Sequence, residues 1–123
     1  MPLQAQVAAG GVPAVAAAAI VGNVATGLVA TGTTNADALA IGAAHNDFVT
    51  VAASTGAILP ASMGVGDVIN VYNQGANALL VYPFATGQIN ALTATTGGFS
   101  VGAGKSAFFT RTGSIAIRTN LSA

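Results

Sequence analysis

Few side chains in this 123-residue sequence can take a proton, attack a carbon or hold a metal. His45 is the sole histidine, and it stands two residues before Asp47. A Ser-His-Asp relay would recruit that pair and a distant serine, with the carboxylate orienting the imidazole. His45-Asn46-Asp47 has the composition of a turn, however, where residues two apart are poorly placed for one to orient the other. His45 is therefore expected as a turn or surface histidine. A metal site needs several histidine or carboxylate ligands converging. Asp37, Asp47 and Asp67 are scattered and no Glu joins them. Paired-carboxylate glycosidase chemistry would need two of these aspartates to face each other, yet Asp47 and Asp67 look like strand-entry turn residues. With no cysteine, neither a disulfide nor a thiolate nucleophile or ligand exists. No catalytic residue, cofactor site or metal site emerges, and the chain is not expected to be an enzyme.

Two glycine patterns imitate nucleotide sites. Gly104-Lys105-Ser106 resembles the end of a P-loop, but the required first glycine would fall at Phe99. Gly102-Ala103-Gly104-Lys105-Ser106-Ala107 fits the loose G-x-G-x-x-A dinucleotide pattern, which needs a helix to follow. Ala107-Phe108-Phe109-Thr110 follows instead, a strand-forming run, so both patterns are expected to be one turn with an exposed lysine. Tyr72, Tyr82, Phe84, Phe108 and Phe109 fall within expected strands, where core packing is the default; sugar binding at Tyr72 or Tyr82 is the alternative. Arg111 and Arg118 are expected on neighbouring strands of one hairpin, as partner-facing charges or a solvated pair.

The elements that must carry these residues are strands. Beyond Ala30 the chain shows short apolar runs separated by Gly, Asn and Thr at roughly 8–12-residue spacing, the pattern of a sandwich or barrel. Expected strands cover Ala36–Ile41, Phe48–Val51, Ala57–Leu59, Asp67–Asn73, Ala78–Phe84, Gln88–Leu92, Phe99–Val101, Ser106–Thr112 and Ile115–Thr119. Gln74-Gly75-Ala76-Asn77 is expected to close a hairpin between the fourth and fifth of these, since Gly and Asn supply positive φ. Pro83 cannot donate to a ladder and is expected near an edge or bulge. No 3.6-residue stripe is sustained, and no repeat marks a solenoid. The expected fold is all-β: an antiparallel β-sandwich or barrel-like domain over residues 31–123, preceded by an apolar Ala/Gly-rich arm over residues 1–30.

Charge is the most restrictive feature. Three Lys and Arg oppose three Asp, so 5% of residues are charged, against roughly 25% in ordinary soluble domains. A dispersed monomer usually keeps a mixed charged surface, so a large area is expected to be buried against partners. Clustered Lys and Arg for phosphate contacts are missing, which argues against nucleic acid. Val7–Val29 carries no charge, but Gly10-Gly11-Val12-Pro13 interrupts it and basic flanks are lacking. It is expected neither to span a membrane nor to serve as a signal peptide. As a docking arm it would use Val7, Val12, Val15, Ile20, Val21, Val24, Leu28 and Val29 to meet a partner.

Four phrases carry a resemblance: TGTTNADAL (Thr31–Leu39), FVTVAASTGAILPAS (Phe48–Ser62), GDVINVYNQGANALLVYP (Gly66–Pro83) and SVGAGKSAFFTRTG (Ser100–Gly113). They are similar to structural proteins of tailed phages, described as head decoration (cement), head-fibre or other virion components. The resemblance implies a non-catalytic protein on the capsid surface, a homo-oligomer with a trimer favoured, whose partners are the major capsid protein and its own copies. It transfers no functional residues and does not reach the first thirty positions. The rival expectation is a head-fibre or tail-fibre module that binds host-surface carbohydrate.

Overall fold

The computed structural model describes residues 22–121, which form ten strands. In chain order these are β1 (Val24–Val29), β2 (Leu39–Ala40), β3 (His45–Thr50), β4 (Gly56–Ile58), β5 (Val68–Asn73), β6 (Leu79–Tyr82), β7 (Gln88–Ile89), β8 (Phe99–Val101), β9 (Ser106–Arg111) and β10 (Ala116–Leu121). Successive strands alternate between two sheets until β9 and β10, which are neighbours in one. The larger sheet runs β1-β3-β5-β9-β10-β7, and the smaller runs β2-β4-β6-β8.

The all-β expectation holds, since the described residues contain no helix, but the sandwich or barrel does not. The chain winds as a mixed parallel and antiparallel β-solenoid of about four turns. β1, β3 and β5 stack in parallel, as do β2, β4 and β6. The later part reverses direction, with β9 antiparallel to β5 and β10, and β8 antiparallel to β6. Short, alternating strands look the same in sequence whether the next strand folds back beside its predecessor or crosses to the opposite sheet. The rungs repeat at roughly 20–25 residues, within the range of repeat architectures.

The expected hairpin at Gln74-Gly75-Ala76-Asn77 is the clearest correction. β5 and β6 lie in different sheets, and this segment is a corner between them. Gly75 is absent from the glycines with positive φ, so the reversal that Gly-Asn chemistry favours is not made. Gly75 is needed for closeness instead: a Cβ there would lie 2.7 Å from both Cβ and the backbone N of Val51. Asn73 pins the corner from within. Its amide donates to the carbonyls of Asn77 (2.8 Å) and Val101 (2.9 Å), and its Oδ1 accepts from the Gly75 N–H (2.9 Å). Asn77 Nδ2 reaches the Val51 carbonyl one turn away (2.9 Å).

Other boundaries shift for similar reasons. Ala36–Ala38 belong to a turn, so that strand shrinks to Leu39–Ala40, whereas His45–Asp47 are strand and not turn. Pro83 is fully buried, and it ends an interior strand rather than marking a sheet edge. Val24–Val29, assigned above to the arm, form an edge strand of the larger sheet. Inward side chains from both sheets build one core in which Phe48, Val71, Phe109 and Ile117 meet Leu79, Val81 and Val101.

Loss of the Asn73 amide leaves several backbone groups without partners, at about 1–3 kcal/mol for a buried unsatisfied group. Asn73→Ala should therefore lower the urea midpoint by the equivalent of about 3 kcal/mol. Gly75→Ala should also destabilise. Gly42→Ala, where a Cβ meets nothing within 4 Å, should be neutral or stabilising by about 0.4–1 kcal/mol.

Candidate functional site

The outward face of the larger sheet is where chemistry-bearing side chains gather. Alternation along β3 turns Asn46 and Phe48 inward and leaves His45 and Asp47 together on the outer face. On β5 the same alternation turns Tyr72 outward. The register sets Asp47 opposite Tyr72 and Tyr72 opposite Ser106, so a carboxylate, a phenol ring and a serine follow one another across three strands. Val24 of β1 lies opposite His45 and extends this surface to the sheet edge.

An open groove of about 660 Å³ follows these residues, with Gln74, Gly104 and Lys105 at one end. The backbone fixes that end. Gln74 N–H donates to the Phe48 carbonyl (2.8 Å), Asn73 N–H to Lys105 (2.9 Å) and Gly104 N–H to Asn73 (2.8 Å). Gly104, at φ +74°, supplies the left-handed residue of the turn into β9. The Gly-Lys-Ser motif is thus a turn before a strand, as its following residues required.

Within the groove, polar partners are amides. The Gln74 side-chain amide donates to Asp47 Oδ1, and Asn70 Nδ2 donates to His45 Nδ1 (2.9 Å). The His45 imidazole is therefore oriented by an asparagine and the Asp47 carboxylate by a glutamine, and no imidazole–carboxylate hydrogen bond of a nucleophilic relay is recorded between them. The His45 and Tyr72 rings are near-parallel, at 18° with centroids 6.4 Å apart. A second groove of about 590 Å³ lies further along the face and includes Asn70, Val68 and Phe108. Phe108 is 62% exposed, an unusual position for a phenylalanine.

The other aromatic and basic residues are structural. Tyr82 is buried, and its hydroxyl donates to the Thr33 carbonyl (3.3 Å), so it cannot meet a sugar. Phe84 and Phe109 lie in the core. Arg111 sits over the Phe84 ring at 4.6 Å and donates to the carbonyls of Gly113, Ser114 and Met63. It clamps loops by cation–π and carbonyl contacts. Arg118 reaches the Asn90 carbonyl (3.3 Å). Among the described residues no cluster of metal-ligating side chains occurs, and no helix is long and apolar enough to cross a membrane.

The arm residues divide. Val7, Val12, Val15, Ile20 and Val21 lie outside the described residues. Val24 and Val29 are exposed on β1, and Leu28 packs against the core. The groove escaped sequence reading because His45–Asp47 was assigned to a turn. The usable signal was the i, i+2 spacing of His45 and Asp47 before an inward Phe48, which on a strand puts both on one face. No family model, characterised protein or solved structure matches this chain.

Asp37 organises the first loop. Its Oδ1 accepts from the N–H of Thr33 (3.1 Å) and Thr34 (2.9 Å) and from the Thr34 hydroxyl (2.9 Å). The Thr34 backbone bond, then the Thr34 hydroxyl, lowers the carboxyl below its ordinary value of 3.8. A depressed folded-state pKa gives stability that is complete above the unfolded value and is lost as pH falls through the folded one. The amides of residues 33 and 34 should accordingly lose hydrogen-exchange protection only below about pH 4. Asp37→Ala should abolish that dependence.

Proposed function

We propose that this chain is a non-catalytic structural protein that decorates a virus head, stabilising the shell through contacts with capsid subunits and with its own copies. The observation that carries this reading is the open end of the solenoid, whose edge strands β1 and β2 carry no charged side chain. β1 is the outermost strand of its sheet, and among the described residues nothing pairs with its outer edge. Its sequence, VATGLV, has no charge and no proline. Those are the residues with which free monomers usually blunt an edge; β1 has instead two register breaks, between Ala25 and Leu28 around Gly27 and between Leu28 and Val29. Val24 and Val29 are 63% and 49% exposed beside it.

Solenoids that stand alone end in polar capping turns, since an uncovered rung invites stacking. β2, at the same end, is the outermost strand of the smaller sheet, so an incoming chain can extend both sheets. Strand addition gains main-chain hydrogen bonds, and its specificity comes from alternate side chains. Residues 1–21, which have no charge either, join the body at Gly22 beside this edge. The scarcity of charge fits burial in an assembly, because desolvating unpaired charges is costly. The sequence resemblance to tailed-phage virion proteins supplies the capsid as the particle, with the major capsid protein and homo-oligomerisation as the contacts.

Sedimentation and capsid co-pelleting test the reading. The full chain should self-associate in a concentration-dependent way and bind purified capsids. Thr26→Lys with Val29→Lys should weaken both by at least about tenfold, equivalent to 1.4 kcal/mol, while thermal stability stays close to wild type. Deletion of residues 2–21 stops short of β1 and should weaken capsid binding without unfolding the body. A wild-type chain that is monomeric at every concentration and ignores capsids refutes the proposal.

A further inference from the structure

We infer that the groove beside Tyr72 is a binding site for a neutral sugar, of the kind displayed at the end of a surface glycan. Three features converge on that ligand class. A pyranose offers a ring face of C–H bonds and an edge of hydroxyls, and its recognition calls for an aromatic surface next to paired donors and acceptors. Tyr72, 38% exposed, provides the ring, with His45 beside it in a near-parallel plane. Asp47, in register with Tyr72, provides the acceptor edge. Its Oδ1 is held by the Gln74 amide, which fixes the carboxylate so that Oδ2 can accept a sugar hydroxyl.

Preorganisation strengthens the inference. Asp47 and Tyr72 are on paired strands, Gln74 is tied to the Phe48 carbonyl, and Lys105 is tied to Asn73. Little backbone ordering remains to be done when a ligand arrives, which favours binding in an open groove. The groove's volume of about 660 Å³ lies in the range of small-molecule sites. Charge selects within the class. Asp47 and Lys105 are one acid and one base in the same groove, so a neutral ligand meets both without leaving either charge opposed. Phosphate and nucleotide ligands meet the carboxylate instead, and the turn before β9 lacks the helix that would cradle them.

This inference does not rest on the assembly reading. Charge on the β1 edge should weaken association with sugar binding kept, and groove substitutions should do the reverse. The test is titration of the full chain, followed by amide NMR, with glucose, galactose, mannose and N-acetylglucosamine, and with glucuronic and N-acetylneuraminic acids as anionic comparisons. At least one neutral sugar should give saturable, millimolar shifts centred on Tyr72, Gln74 and Lys105. Tyr72→Ala should weaken it at least about tenfold (1.4 kcal/mol), and Tyr72→Phe should retain it. Should Tyr72→Ala disturb the fold, Asp47→Asn decides, with the same expected weakening. The inference is overturned if no neutral sugar binds, if the shifts map elsewhere, if the folded variants bind like wild type, or if the anionic sugars bind more tightly.

Discussion

A single rung of this chain cannot bury its own apolar side chains. β4 has three residues and β2 has two, far too little for an isolated turn to hold a shape. Stability comes only when each rung lies on the next, so that backbone groups pair between turns and inward side chains share one core. Phe48 on β3, Val71 on β5 and Phe109 on β9 are all fully buried for this reason, each covered by neighbours on other turns. The stacking also dictates the corners. Where the chain leaves one sheet for the other, its backbone groups lose the ladder and must find partners elsewhere.

Asparagine fills that role at several corners, beside the loops held by Asp37 and Arg111. Asn23 Oδ1 accepts from the Ala44 N–H, Asn46 Nδ2 reaches the Ala43 carbonyl, and Asn73 and Asn77 hold the corner between β5 and β6. One amide both donates and accepts, so it can satisfy a carbonyl and an N–H without the desolvation cost of an ion. A chain that carries only three acidic and three Lys or Arg residues can thus close its corners. The same chemistry recurs in the groove, where Gln74 fixes Asp47 and Asn70 fixes His45.

The sequence exposed local character more than connectivity. β8 is where its pattern placed it, and β9 and β10 form the hairpin expected to carry Arg111 and Arg118, because a tight antiparallel pair is encoded in adjacent residues. The solenoid was hidden because its pairing is between residues a full turn apart, such as His45 with Asn70. Those rungs share shape but not sequence: Phe48 lies opposite Asn73, an aromatic core residue against a corner amide. The site was obscured for the same reason. Asp47, Tyr72 and Lys105 are separated by dozens of residues, and only stacking makes them neighbours. Tyr72 and Phe108 were assigned to the core since both sit in apolar strands, yet alternation with inward Val71, Ala107 and Phe109 turns them out.

Stacking also separates the two surfaces that matter. The last rung at each end of a solenoid presents strand edges, while the flanks present side chains, and the two point in different directions by construction. At the β1 end the edge strand is uncharged and its outer backbone groups are open to a further strand, so contact there extends the body along its axis. The flank with Tyr72 is perpendicular to that direction, because its side chains stand off the sheet. A neighbour added end-on therefore lengthens the core and leaves the outer face of the larger sheet open to solvent. Among the described residues Val24 is the point where the two meet, since it belongs to the edge strand and also lines the groove. Only a partner that wraps from the edge onto the face would cover both, and through Val24 such a partner would couple assembly to ligand access.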